Sequence, residues 1–312
     1  MSYHTIAFYN LENLFDTKDD KYTNDDSFLP ESEWQWTPKR YKKKLRKLGY
    51  AISNIGTKKD KIPPAIVGLS EVENKQVIED LLASKFLKRH SYDIVHYDSP
   101  DERGIDVGFI YDTNRFKVLN SETYSIDLFN EKGERDYTRD TLLVKGNLNN
   151  ETLYILVNHW SSRREGEEIS EPKRIKASEK VSDIINAIEA ENSNAKIIIM
   201  GDFNDNPDNE SITRLTNTHN LYNPMAELFS QNKGSVSYQK QWNLFDQILF
   251  TTNFFEFKKG AHSFSKAEVF DADFLKQYKG KYKGSPFRTF VWKFYKGGYS
   301  DHFPVYLRLK EN

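Results

Sequence analysis

The sequence predicts an α/β (α+β) protein in which mixed β-sheets are covered by helices. Three observations predict it. Short apolar, largely β-branched runs recur along the chain, and several of them are sequentially adjacent. Longer stretches with apolar residues at helical spacing are inserted between some of these runs. Aromatic residues make up 14% of the chain, with 18 Tyr and 21 Phe, a composition suited to strands.

Thr5 to Asn10 reads as the first strand, and a polar, acidic excursion from Asp16 to Glu33 follows it. Thr37-Pro38 marks a helix start, with Thr37 as N-cap and Pro38 at the first position. Tyr41, Leu45, Leu48, Ile52 and Ile55 form its apolar stripe. Ala65 to Ser70 is a second buried strand, and Val77, Leu81, Leu82 and Phe86 mark the helix after it. Strands are then expected at Tyr92 to Tyr97, Ile105 to Tyr111, Phe116 to Tyr124, Asp140 to Leu148 and Leu153 to His159. A long helix from Glu171 to Glu191 would bury Ile175, Val181, Ile184, Ile185 and Ile188. The buried strand Ile197 to Met200 and a helix near Asn209 to Thr218 come next. The last third carries strands at Gln247 to Phe250, Phe287 to Phe294 and Pro304 to Leu309. Lys258 to Ser285, rich in Lys and Gly, reads as a surface excursion. No repeat, low-complexity tract or linker divides the chain, so residues 1–312 are expected to form a single domain.

Composition bounds the function. The 312 residues carry a net charge of −1, so nucleic-acid binding would have to rest on a local patch. The chain has no cysteine, which excludes disulfides, thiolate zinc sites and a cysteine nucleophile. No leader and no bilayer-spanning run is visible; a cytoplasmic monomer is expected, and export is left open.

The strands end in chemistry. Asn10, followed by Glu12, closes the first, and Ser70-Glu71 closes the second. Asn158-His159-Trp160 delivers a histidine, and Gly201-Asp202-Phe203-Asn204 delivers a carboxylate and a carboxamide. Asp246 opens a strand, and Ser300-Asp301-His302 precedes the last one. One such residue alone reads as a turn. Together the oxygen donors suit Mg²⁺, or Mn²⁺, and histidines among carboxylates suit acid–base work. Carboxylates, His and Mg²⁺ point to phosphoryl transfer to water.

These segments, taken in order from Tyr9-Asn10-Leu11-Glu12 to Ser300-Asp301-His302-Phe303-Pro304, resemble the endonuclease/exonuclease/phosphatase superfamily, closest to its bacterial nuclease-type members. The resemblance implies the deoxyribonuclease I-like fold, a four-layer sandwich of two mixed β-sheets flanked by helices, with the site at one edge. It implies Glu71 as principal metal ligand with Asn10 beside it, and Glu12 and Asp301 as further metal-side carboxylates. It implies His302 as general base or transition-state stabiliser oriented by Asp246. Asp202 would hold the attacking water or a metal, Asn204 a phosphate oxygen, and His159 the phosphate or the leaving oxygen. Arg139 matches the place of a phosphate-contacting arginine, with a solvated strand arginine as the other reading. Glu102 is a candidate partner for His159 or part of a charged turn.

Three basic segments bear on the substrate. Lys39 to Lys47 reads as the solvated face of an amphipathic helix, and Lys276 to Lys283 as a polar loop. Arg163 and Arg164, shortly after His159, could grip the flanking phosphates of a polymer, with Arg163 as the candidate contact. The expected function is a Mg²⁺-dependent phosphodiesterase on nucleic acid; the alternative is a phosphomonoesterase or a lipid or small-molecule phosphodiesterase using the same metal site.

Overall fold

The structure is a computed structural model and describes residues 2–58, 61–130 and 132–312. Its principal elements, in chain order, are β1 (Tyr3–Leu14), α1 (Pro38–Ile52), β2 (Ile66–Val72), α2 (Lys75–Leu82), β3 (Tyr92–His96), β4 (Asp106–Asp112), β5 (Phe116–Tyr124), β6 (Thr141–Leu148), β7 (Glu151–His159), α3 (Glu167–Glu191), β8 (Lys196–Asp202), α4 (Glu210–Thr218), β9 (Leu221–Tyr222), β10 (Asp246–Thr251), β11 (His262–Val269) and β12 (Val305–Glu311). They form two six-stranded sheets, ordered β11-β12-β1-β2-β4-β3 and β9-β10-β8-β7-β6-β5. Each sheet is mixed, with one parallel pair at its centre: β1 with β2, and β7 with β8. The neighbours of those pairs run antiparallel.

The Ile197–Met200 run of β8 is apolar throughout because both of its faces are covered. Ile198 and Met200 join the core between the sheets, while Ile197 and Ile199 join the core under α3 and α4. On β7, Leu153, Ile155 and Val157 point one way and Tyr154 and Leu156 the other. Gly68 of β2 lies under Met200, where a Cβ would come within 2.5 Å of the Met200 sulfur. The sheets therefore pack face to face, with α1 and α2 against the first and α3 and α4 against the second.

Several boundaries differ from expectation. The tract from Lys258 to Ser285 is not all excursion: His262–Val269 forms edge strand β11, paired to β12, because its apolar residues are spread among polar ones. The stretch from Phe287 to Phe294 is no continuous strand but a small hairpin of Phe290–Val291 against Phe294–Tyr295. Helix α3 starts at Glu167 and carries Pro172 within it. Its buried face holds Arg174 where Ile175 was expected; Ile175 is only half-buried. Among the described residues no helix is long and apolar enough to cross a membrane.

Candidate active site

The parallel pairs at the centre of the two sheets both end at the same edge of the sandwich, and their ends are irregular. β1 and β2 lose register between Asn10 and Leu14, and β2 and β4 lose it between Ser70 and Val72. Glu12, Asn13 and Glu71 take φ values of +52°, +51° and +59°, and Asn204 +51°. Non-glycine residues rarely occupy this region, and bulges re-aim side chains. Here the residues so held are the ones the strand ends present. In the second sheet, Asp202 pairs in register with His159 on one side and Asp246 on the other, which sets three titratable groups in a row. Gly201 permits that row: a Cβ there would lie 2.4 Å from the Asn158 carbonyl oxygen.

Asp202 is the hub. Its Oδ2 accepts from Asn10 Nδ2 at 2.9 Å, which joins the two sheets, and its Oδ1 accepts from the Asn204 N–H at 3.0 Å. His159 Nε2 and His302 Nε2 lie 3.8 and 3.9 Å from Oδ2. Burial pushes the Asp202 carboxyl up to about 7; the nearby His302 charge pulls it down and Asp246 pushes it up.

The two histidines face one carboxylate but differ in charge, one cationic and one neutral. His302 Nδ1 lies 2.6 Å from Asp246 Oδ2, and Asp246 is fully buried. Burial alone would strip the His302 proton, but Asp246 and Asp202 outweigh it and hold the imidazolium well above its ordinary range. The segment before Asp246 clips this pair: Val236 bridges to His302, and the Phe303 N–H donates to the Ser235 carbonyl at 2.7 Å. His159 is held well below its ordinary range by burial and by the Arg139, Arg103 and His302 charges, so its ring is neutral at pH 7. Its Nδ1 is buried with no hydrogen-bond partner among the described residues.

The metal-side residues divide in two. Glu71 Oε2 accepts from the Asn13 N–H at 2.7 Å, and Arg103 Nη2 is 4.0 Å away. Asn10 Oδ1 accepts from the Glu12 N–H at 2.9 Å. These oxygens keep lone pairs and suit a hard divalent cation such as Mg²⁺ or Mn²⁺. Glu12 is more heavily compensated: it accepts from the Thr289 N–H at 2.6 Å, and Lys44 Nζ and Arg288 Nε each lie 3.6 Å from it. Asp301 Oδ2 takes Arg288 Nη2 at 2.5 Å. Despite its burial, Arg288, His302 and Lys44 hold the Asp301 carboxyl below its ordinary range. The donor set fits a cation at Glu71 and Asn10, with Asp301 at hand and Glu12 acting as a buttress.

Three expected residues are placed otherwise. The Arg139 fork turns inward, donating to the carbonyls of His159 at 3.3 Å and Trp160 at 2.8 Å and to Asp101 Oδ2 at 2.9 Å. It braces the His159 strand end, and each of its three nitrogens is already engaged by a protein oxygen. Arg163 likewise donates to the Asn204 carbonyl at 2.8 Å and to Asp205 at 2.7 Å. Glu102 is exposed and makes no side-chain bond to His159 among the described residues; its neighbour Asp101 turns inward instead. Asn204 does sit at the site, with Nδ2 donating to the Trp160 carbonyl at 3.0 Å.

Lys44, Arg103 and Arg288 were not singled out from the sequence. Lys44 is fully buried and donates to Thr289 Oγ1 and the Tyr299 carbonyl, both at 2.6 Å. Its signal was present: Tyr41, Lys44, Leu45 and Leu48 share one helical face, so Lys44 lies on the buried stripe and not on the solvated one.

The sequence of residues 5–311 matches a family model described as Endonuclease/Exonuclease/phosphatase family. No curated protein sequence matches the chain. Among solved structures, an endonuclease/exonuclease/phosphatase family protein from Bacteroides thetaiotaomicron is similar over 100% of this chain and 98% of its own, at 15% identity and TM-score 0.60. A mannosyl-6-phosphatase of the same organism is similar over 98% of this chain and 99% of its own, at 15% identity and TM-score 0.60. A humanized D. rerio TDP2 is similar over 99% of each chain, at 14% identity and TM-score 0.59. At such identities the structural likeness shows the shared fold.

Proposed function

From the premise that this chain belongs to the endonuclease/exonuclease/phosphatase family, whose members hydrolyse phosphoesters, we propose that it is a divalent-metal-dependent phosphodiesterase acting on nucleic acid. The observation that carries the reading is the row of His159, Asp202 and Asp246 with His302 bonded to Asp246. It offers a carboxyl that titrates near neutrality, one fixed cation and one neutral imidazole around a single point.

The roles follow from protonation. Asp202, with its pKa near working pH, accepts the proton of an attacking water. The His302 imidazolium, held by Asp246, stabilises the charge that grows on the phosphoryl oxygens. His159 is neutral, so it hydrogen-bonds a phosphate or leaving oxygen through an N–H and does not deliver a full positive charge. Glu71 and Asn10, with Asp301, would hold Mg²⁺ or Mn²⁺. The chemistry a bound ion supplies there is neutralisation of charge on the phosphate.

The nucleic-acid preference rests on the hairpin that continues from Arg288 and Thr289. Those two residues contact Asp301 and Glu12, and Trp292 at the hairpin tip is 87% exposed. An exposed indole on the hairpin that follows the site residue Arg288 suits stacking of a base. A second reading, a phosphomonoesterase, is favoured by the inward commitment of Arg139 and Arg163 and by the mannosyl-6-phosphatase likeness.

The test is nicking of supercoiled plasmid in Mg²⁺, with and without chelator, by wild type, His302→Ala and Trp292→Ala. The reading expects chelator-sensitive nicking that His302→Ala abolishes. Trp292→Ala should raise KM for DNA and leave KM for a small chromogenic diester unchanged. Folded protein that leaves plasmid intact but hydrolyses a sugar phosphate would replace the first reading with the second.

A further inference from the structure

At the end of β1 opposite Asn10, a separate group of metal-ligating side chains meets. His4 and Asn10 are six residues apart on one strand face, about 20 Å at strand rise. His4 of β1, His262 of β11 and Glu311 of β12 each offer one ligand atom, and these atoms lie within 4.8 Å of one another. The two imidazoles meet edge-on with centroids 5.2 Å apart. Both are buried, 3% and 1% exposed.

Two nitrogens in this group lack partners. His4 Nδ1 and His262 Nε2 are buried and accept or donate no hydrogen bond among the described residues. An unsatisfied buried polar atom costs about 1–3 kcal/mol, so two of them on neighbouring rings require an explanation. The surroundings supply one. His262 Nδ1 lies 2.8 Å from Glu151 Oε2, and the Glu151 carboxylate is held by Lys196 Nζ at 2.9 Å. A carboxylate on one ring nitrogen fixes the tautomer that leaves a lone pair on the other, which is how metal-binding histidines are oriented. Glu311 Oε2 lies 3.6 Å from His4 Nε2, and Asn149 Nδ2 lies 3.4 Å from the same nitrogen.

We propose that His4, His262 and Glu311 form a second metal site, one that takes Zn²⁺ with water completing a tetrahedral set, and that it fastens edge strand β11 and the β12 end to β1. Two imidazoles and one carboxylate suit Zn²⁺ and not Mg²⁺, which prefers oxygen donors. The adjacent Arg115 is already paired with Asp112 at 2.8 Å.

The site is tested by calorimetric titration of Zn²⁺ into chelator-stripped Glu71→Gln protein, a background that removes the principal ligand at the other end. One equivalent should bind there. Adding His262→Gln or Glu311→Gln should weaken that binding at least about tenfold. Glu311 is partly exposed, so its variant stays folded and isolates the ligand role. Co²⁺ in place of Zn²⁺ should give the intense visible bands of four-coordination, and Zn²⁺ should raise Tm in wild type but not in Glu311→Gln. Absence of Zn²⁺ binding in Glu71→Gln, or binding that both further variants leave unchanged, overturns the proposal.

Discussion

Replacing Asp246 with Asn tests the charge logic of the site while leaving its shape. The residue is fully buried and its Oδ2 sits 2.6 Å from His302 Nδ1. Asn is nearly isosteric, so the packing around Phe303 and Ser235 is kept; the negative charge is lost and one acceptor oxygen becomes an amide donor. A hydrogen bond to a charged group contributes about 1.5–3 kcal/mol. If that energy supports the imidazolium in the transition state, its loss lowers kcat about 10- to 150-fold, at roughly 1.4 kcal/mol per tenfold. The His302 titration, followed by NMR of the ring carbons, should move down, because burial is then less opposed. KM should change little, since Asp246 is fully buried and presents no surface to a substrate. The assay is kcat and KM against pH on a small chromogenic phosphodiester, beside a thermal melt that checks the fold. A folded variant whose kcat falls less than threefold, or whose His302 titrates as in wild type, refutes the argument that Asp246 sets the charge of His302.

Three further outcomes are expected. Glu71→Gln should weaken Mn²⁺ binding, read by water-proton relaxation, at least about tenfold with an unchanged melt, since loss of even an outer partner costs that much. Arg139→Ala should lower stability by about 3–5 kcal/mol in urea titration, because it leaves the buried Asp101 unpaired; an unchanged stability with a raised KM would mean a phosphate contact instead. Burial pushes the Glu73 carboxyl up to about 8, with Asp16, Asp25 and Asp20 adding to it. Its stabilising share is complete below the ordinary carboxylate pKa and is lost as pH rises through 8, up to about 5 kcal/mol before solvent screening reduces it. Melts in chelator should therefore show Glu73→Gln equal to wild type at pH 5 and more stable at pH 9; a pH-independent difference would contradict this.

The elements most legible in the sequence are those whose environment is uniform. Ile197 to Met200 is covered on both faces and reads as an unbroken apolar run, and α1 shows a cap, a proline and a clear stripe. β11 was hidden because it is an edge strand whose partner, β12, lies far along the chain. The strand-end residues were legible as chemical types, since buried strands do not end in carboxylates and histidines without cause. Which way an arginine fork points was not legible. Arg139 and Arg163 are committed by carbonyls and carboxylates from distant segments, Asp101 and Asp205 among them. Glu102 and Asp101 are adjacent and acidic, and only tertiary placement decides which of them turns inward.

His159 and His302 show why composition alone could not assign roles. Both rings lie nearly the same distance from Asp202, at 3.8 and 3.9 Å. Their common neighbour therefore cannot distinguish them, and the difference must come from what each touches on its other side. For His302 that is Asp246 at hydrogen-bond distance. For His159 it is the positive field of Arg139 and Arg103, with no acceptor at its buried Nδ1. Burial, helped by the Arg139 and Arg103 charges, thus keeps one imidazole neutral beside another that is charged. A structural strut and an electrostatic role coincide in Arg139. Removing it should therefore raise the His159 titration as well as lower stability, whereas a pure packing role would move stability alone.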